Sequence, residues 1–241
     1  MTPSSYLNYL KEEPIEYGRF LILRQTLESL KPLLSGRCIL DFGASYGLSA
    51  CAYLEAGASR VVGVEPDAAR VERGTGIIQE LGLSDRIALN HTSSTDKLPF
   101  AEASFDVAFA NAVLEHIPSP RTRFIQEMWR VLKPSGHLII NETPNKYLPI
   151  DFHTTGGLWF VPWLPKNLAR HYAILRGRFR RDKDWDHSGW RGVGYYEITK
   201  ALGRNYRAIP EMSHRRHRFL AKLHLPPNLL DPFPLLIFEK Q

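Results

Sequence analysis

The stretch Arg37-Cys-Ile-Leu-Asp-Phe-Gly-Ala-Ser-Tyr-Gly47 constrains the fold more than any other part of the chain. A short apolar run ends in a carboxylate, Asp41, and turns through Gly43 and Gly47 into the helical pattern Leu48-Ser-Ala-Cys-Ala-Tyr-Leu-Glu, which stops near Gly57. Glycine has no Cβ, so a turn of this kind lets main chain approach a ligand closely. A second apolar run, Arg60 to Val64, ends at Glu65, 24 residues after Asp41. An α/β fold places a carboxylate there to accept both hydroxyls of a ribose. Dinucleotide binding is disfavoured, because a pyrophosphate wants G-x-G-x-x-G and Asp41 would repel it. An Asp at that point suits a cationic ligand.

Strand and helix patterns keep alternating. A helix is expected over Arg19 to Leu34, where Phe20, Leu23, Leu27 and Leu30 share one face. Further helices are expected from about Asp67 to Leu81 and from Arg121 to Leu132, the latter stopping at Lys133-Pro-Ser-Gly136. Strands are expected at Ile87 to Asn90, Phe105 to Ala110 and His137 to Asn141. Parallel neighbours need crossovers, so the alternation implies an α/β, doubly wound, mostly parallel sheet with helices on both faces. After Thr143 the pattern breaks into a segment rich in Pro, Gly, Trp and Arg. Residues 144–192 read as an insertion after the fifth strand, with a short helix around Lys166 to Arg176. A helix over Tyr195 to Leu202 and strands near Arg207 to Met212 and Leu235 to Glu239 would complete seven strands.

At roughly 100–200 residues per domain, 241 residues with 44% hydrophobic and 23% charged side chains describe one large domain able to bury a core. The expected organisation is a single domain over 1–241: an N-terminal helical segment (1–36), a cofactor-binding core (37–143), an acceptor-site lid (144–192) and a C-terminal helix and strands (193–241). Cys38 and Cys51 form no C-x-x-C pair, no stretch is apolar enough to span a bilayer, and the N-terminus lacks a signal-peptide pattern. A cytoplasmic protein is expected. Residues 1–165 carry 15 basic and 18 acidic side chains, net −3, whereas residues 166–241 carry 16 and 7, net +9. Any polyanionic partner should meet the C-terminal third.

Four ordered blocks, ILDFGASYG, VVGVEP, LPFAEASFDVAFANAVLEHI and RVLKPSGHLII, together resemble the class I S-adenosylmethionine-dependent methyltransferases. The resemblance covers residues 38–141. It implies the seven-stranded Rossmann-like methyltransferase sheet, S-adenosylmethionine as cofactor and S-adenosylhomocysteine as product. Carried onto this sequence, it implies that Asp41, Gly43, Ala44, Ser45 and Gly47 line the methionine end, with Glu65 on the ribose. Ser94 stands where many members have an Asp for the adenine amino group, Asn111 would border the sulfonium, and Glu115 and His116 follow over the site. Tyr17 and Arg19, before the first helix, could close over the methionine carboxylate. Ser45, the Ser93-Ser94 pair and Ser135 depart from the usual glycine, Gly-Asp and glycine. Asp96 is the substitute adenine partner.

Methyl transfer from a sulfonium is an in-line displacement, in which holding the acceptor in near-attack geometry is worth up to ~7–11 kcal/mol. A hydroxyl acceptor also benefits from a base. Among His116, His153, Asp151 and His187, the first choice is His153, which follows the fifth strand's exit and should hang over the methyl, with Asp151 orienting it. His187 reads as a surface residue. No metal-ligand spacing is visible; Asp184, Asp186 and His187 form only a polar cluster.

In the insertion, Leu158-Trp-Phe-Val-Pro-Trp-Leu164 is followed by Lys166, Arg170, Arg176, Arg178, Arg180 and Arg181. Such a segment fits a peripheral membrane contact through 158–181, and it equally fits a lid whose tryptophans pack internally. The longer stretch TPNKYLPIDFHTTGGLWFVPWLP also resembles a segment of methyltransferases of cell-surface glycan and lipid-linked sugar biosynthesis. The leading expectation is therefore O-methylation of a glycan, glycolipid or small hydroxylated metabolite. Alternatives are C-methylation of a quinone-like lipid, RNA methylation, and a non-catalytic cofactor-binding partner protein. Nucleic acid is disfavoured, since neither an Asn/Asp-Pro-Pro-aromatic motif nor an RNA-binding module is present.

Overall fold

The computed structural model describes residues 14–94, 96–209, 219–220, 222–223, 225 and 229–241. Residues 1–13 of the expected N-terminal segment (1–36) and the end of the strand expected near Arg207 to Met212 lie outside them. Seven strands form one sheet: β1 (Cys38–Phe42), β2 (Arg60–Glu65), β3 (Ile87–His91), β4 (Phe105–Asn111), β5 (Leu132–Asn141), β8 (Tyr206–Ala208) and β9 (Leu236–Lys240). Their order is β3-β2-β1-β4-β5-β9-β8. β1 pairs in parallel with β2, and β2 with β3, with Asp41 level with Gly63 and Glu65 level with His91. Helices alternate with the strands: α1 (Pro14–Leu34), α2 (Leu48–Glu55), α3 (Ala68–Glu80), α4 (Thr122–Arg130), α5 (Lys166–Leu175) and α6 (Tyr195–Leu202). The order reverses between β1 and β4, the kind of switch point where open α/β sheets bind ligands. A two-stranded antiparallel hairpin, β6 (Ile150–Asp151) with β7 (Leu158–Trp159), lies in the insertion.

The chain falls into two compact units. The first comprises the described residues up to Phe109, with Glu127–Leu138 and Glu239–Gln241; the second comprises Ala110–Gln126 and Ile139–Phe238.

In the first unit, α1 buries Phe20, Leu23, Leu27, Leu30 and Leu34. Each such side chain stabilises by about 1.5–3 kcal/mol. The helix begins at Pro14, earlier than its apolar periodicity shows, so Tyr17 and Arg19 lie inside it rather than before it. α3 starts where Asp67 caps it, accepting from the amides of Ala69 (3.0 Å) and Arg70 (3.2 Å). The Arg130 guanidinium holds Glu127 and donates to the carbonyls of Leu98 (3.3 Å) and Phe100 (3.0 Å), while Glu127 accepts from the Leu98 amide (2.8 Å). Arg130 is thus a clamp on the loop before β4. β5 begins at Leu132, earlier than expected, and takes in Lys133-Pro-Ser-Gly136. Ser135 adopts a positive φ of 60°, and a Cβ at Gly136 would lie 2.8 Å from the Lys133 carbonyl oxygen. The tight backbone that these residues signal is accommodated within the strand.

The second unit has its own small core within the insertion, of Leu158, Val161, Ala169, Ala173, Trp185 and Trp190. Trp185 and Trp190 stack at 5.2 Å, and Phe179 meets Trp185 edge-on at 4.7 Å. The tryptophans therefore divide: these two pack internally, whereas Trp159, Phe160 and Trp163 are exposed.

Gly63 and Gly76 give opposite expectations. A Cβ at Gly63 would lie 2.5 Å from Leu89 Cδ2 and 2.6 Å from Ala44 Cβ, whereas nothing lies within 4 Å at Gly76. Gly63→Ala is expected to cost about 1–3 kcal/mol by overpacking, and Gly76→Ala, inside α3, to gain up to about 1 kcal/mol. Urea denaturation of the two variants checks both signs.

Candidate active site

The first unit carries a turn and two buried carboxylates. Between β1 and α2 the chain passes through Gly43 (φ 80°), Ser45 (φ 49°) and Gly47 (φ 75°), three left-handed residues in five. Serine tolerates that region poorly, and what holds it is Glu65. The Ser45 amide donates to Glu65 Oε2 at 3.0 Å, and the Asp67 amide donates to Oε1 at 3.2 Å. Glu65 is only 6% exposed. Each carboxylate oxygen has two lone pairs, so both oxygens keep capacity for a further donor.

Asp41, at the end of β1, is 2% exposed. It accepts from Ser49 Oγ at 2.5 Å and, more weakly, from the Tyr53 hydroxyl at 3.4 Å. Burial raises its pKa to about 7, with the hydroxyl bonds opposing that rise and the nearby Glu65 charge adding to it. A buried acid with its pKa raised this far ionises more readily beside a positive charge. Ala44 is buried, and Tyr17 is half-buried on α1. Ser94 is exposed, its hydroxyl bonded to Asp96, so the structure joins the two residues considered for the adenine end.

The second unit gathers the histidines. A 3-10 turn, Leu114–His116, follows β4, and the Glu115 side chain is fully buried on it. Glu115 Oε2 accepts from Thr143 Oγ1 at 3.2 Å. Glu115 Oε1 lies 3.7 Å from Nε2 of His116 and 3.7 Å from Nε2 of His153. The two rings are 5.3 Å apart. His116 Nδ1 is 2.7 Å from the carbonyl oxygen of His187, which can only accept, so Nδ1 carries the hydrogen. Thr154 Oγ1 donates to the Ser188 carbonyl (2.6 Å) and thereby faces His153 Nδ1 (3.4 Å) as an acceptor. Both imidazoles thus turn Nε2 toward the carboxylate. Gly189, at φ +81°, allows this crowding: a Cβ there would sit 2.9 Å from Glu115 Cγ and from the His153 ring.

Asp151, expected to orient His153, bonds the backbone around it. Its carboxylate accepts from the backbone amides of His153 (3.0 Å), Thr154 (2.9 Å) and Thr155 (3.0 Å), fixing the loop that carries His153. Its pKa is raised by burial, against those bonds. The His187 side chain is exposed on Asp184 (2.7 Å); its backbone is what serves the cluster. Asn111 accepts from Asn141 Nδ2 at 2.7 Å. Each of these asparagines ends a strand and precedes a left-handed residue without being glycine, Ala112 (φ 53°) and Glu142 (φ 54°). Strain of this kind gathers at functional sites. Sequence reasoning missed Thr143, Thr154 and Gly189; only the positive-φ glycine carried a signal.

Residues 40–140 match the family model described as a methyltransferase domain. An uncharacterized methyltransferase of Mycobacteroides abscessus is 36% identical over 110 residues, 46% of this chain and 41% of that protein. The 27-O-demethylrifamycin SV methyltransferase of Amycolatopsis mediterranei is 31% identical over 120 residues, 50% of this chain and 43% of that protein. The chain thus spans about two fifths of the length of these relatives. An S-adenosylmethionine dependent methyltransferase from Mesorhizobium loti has the same fold, with a TM-score of 0.54 at 18% identity over 89% of this chain and 95% of that one.

The raised Asp41 pKa predicts a pH signature. An acid whose folded pKa lies above its unfolded value costs nothing below about pH 4, and an increasing amount until about pH 7. Asp41→Asn removes that cost. Relative to the native protein, the variant should gain on the order of 2 kcal/mol between pH 5 and pH 8 in denaturant titrations. Parallel stability profiles would show an ordinary carboxylate instead.

Proposed function

From a chain that belongs, through residues 40–140, to the class I S-adenosylmethionine-dependent methyltransferases, we propose an enzyme that methylates a hydroxyl of a lipid-linked or glycan-type acceptor. The whole of 1–241 is read as one methyltransferase domain, with 144–192 serving the acceptor. S-adenosylmethionine, when bound, supplies a methyl group on a sulfonium, an electrophile that needs no activation by the protein. The residues of the first unit fit it. Glu65 keeps lone pairs for ribose hydroxyls, Gly43 to Gly47 bring backbone to the ligand, and the near-neutral Asp41 gains a cation to pair with. Tyr17, Ala44, Ser45, Ser94, Asn111 and His116 complete the proposed binding set.

One observation carries the oxygen acceptor: two imidazoles with Nδ1 held by acceptors, so that Nε2 presents a lone pair. A hydroxyl losing its proton needs such a group, and His153, 18% exposed, is the more sheltered of the two. Asp151 holds the His153 loop in place. The relative from Amycolatopsis mediterranei is named for methylation at oxygen, which supports the same reading.

The lipid-linked character rests on the exposed aromatic group Trp159, Phe160 and Trp163, spaced 6.0 and 6.1 Å ring to ring, with exposed Arg176, Arg178 and Arg181 farther along the segment. Tryptophans at headgroup depth and arginines on anionic lipid make a peripheral contact. No helix among the described residues is long and apolar enough to cross a membrane.

Calorimetry tests the cofactor half. Micromolar binding of S-adenosylmethionine is expected, weakened about tenfold or more in Glu65→Gln, since hydrogen bonds to charged groups contribute about 1.5–3 kcal/mol; NAD should not bind. Sedimentation with vesicles tests the surface. The native protein should pellet with anionic but not zwitterionic vesicles, and Trp159→Ala/Trp163→Ala should stay in solution. Equal pelleting of native and variant would remove the membrane reading.

A further inference from the structure

We propose that Glu115, His116 and His153 bind a divalent transition-metal ion, of the zinc, manganese or iron(II) class, through one carboxylate oxygen and two imidazole Nε2 atoms. The three donor atoms lie within 4.8 Å of one another, with Glu115 Oε1 equidistant, at 3.7 Å, from the two nitrogens. Metal–nitrogen bonds of about 2.0–2.1 Å put adjacent ligand atoms about 3.0–3.4 Å apart, so a modest contraction closes the site. The His116 side chain, 42% exposed, has the room to make it.

The three groups present donor atoms suited to a cation. The His187 carbonyl and the Thr154 hydroxyl each take an Nδ1–H, which leaves a lone pair on both Nε2 atoms. The third group is a carboxylate oxygen in a fully buried side chain. With both rings neutral, three acceptor atoms converge within the reach of one cation, and like-signed lone pairs that face one another favour a positive charge between them. A proton on one ring would satisfy one nitrogen. A divalent ion engages all three at once.

The surroundings are those of a metal site. Each imidazole has its second nitrogen tied to an oxygen, and the carboxylate has its other oxygen tied to Thr143, contacts that orient ligands and fix tautomers. Two imidazoles and a carboxylate suit borderline divalent ions rather than magnesium or calcium, and three protein ligands leave coordination positions open. Sequence spacing could not show this, because His153 lies 37 residues beyond His116. Metal binding stands independently of the methyl-transfer reading. Its catalytic consequence rests on the methyl-transfer part of that reading: an acceptor hydroxyl in an open position would be acidified by the metal and release its proton to solvent water, the Nε2 lone pairs then holding the metal in place of the proton.

The test uses full-length protein stripped with chelator and titrated with cobalt(II), whose visible d–d absorption reports coordination by protein. One equivalent should bind with new bands that zinc abolishes. Glu115→Gln and His153→Ala should lose them, and His171→Ala, at an exposed histidine elsewhere, should keep them. Thr154→Val, which keeps all three ligands and removes the hydroxyl that joins His153 to the Ser188 carbonyl, should weaken binding about 10–100-fold and guards against misfolding of the ligand variants. Absence of protein-dependent bands, or bands unchanged in Glu115→Gln and His153→Ala, would overturn the proposal. S-adenosylmethionine calorimetry on the same samples separates this inference from the cofactor reading: intact cofactor binding without cobalt bands overturns the metal site alone.

Discussion

Glu65 is the residue on which the arrangement of the first unit depends. One buried carboxylate at the end of β2 accepts the amide of Ser45, in the turn after β1, and the amide of Asp67, which caps α3. Two loops from successive strands are thereby fixed by a single side chain, and the left-handed backbone at Ser45 is held in place. The same oxygens retain the lone pairs that a diol needs. Under the proposed function, structure and recognition share one group, and the Glu65 bond to the Ser45 amide lets the turn dispense with the middle glycine.

The second unit also turns on one buried carboxylate. In the first, a carboxylate collects backbone donors; around Glu115, a hydroxyl donates to one oxygen and two imidazole Nε2 atoms face the other. The cost of that arrangement is set by the geometry of the 187–189 segment, which supplies two carbonyls and, at Gly189, the absence of a Cβ. Two imidazoles with Nε2 toward a buried carboxylate pair with it as ions when protonated and aim lone pairs at it when neutral. Both states suit a site that takes a proton or a cation.

Much of this was legible in the sequence where local chemistry decides. The β1 turn, the Asp67 cap, α5 and α6 follow from capping and periodicity, and residues 38–141 carry the family pattern. The misses have physical reasons. Lys133-Pro-Ser-Gly136 reads as a turn, but its tight backbone fits within β5. Strands β6 and β7, two residues each, are too short to show any period. The tryptophans of the insertion divide between core and surface because partners distant in sequence, Phe179 and Ala173 among them, decide which are covered. Asp151 bonds the amides of its own loop, a contact that residue type alone does not specify. Glu115, His116 and His153 were each singled out, yet their convergence is a long-range contact that no spacing encodes.

The central claim is that Glu65 and Asp41 form the floor of an S-adenosylmethionine site. The most direct measurement is a crystal structure of the protein with S-adenosylhomocysteine. The account predicts both ribose hydroxyls donating to the Glu65 carboxylate and the amino-acid end seated on the turn from Gly43 to Gly47. A ligand bound elsewhere, with Glu65 still holding only Ser45 and Asp67, would contradict it.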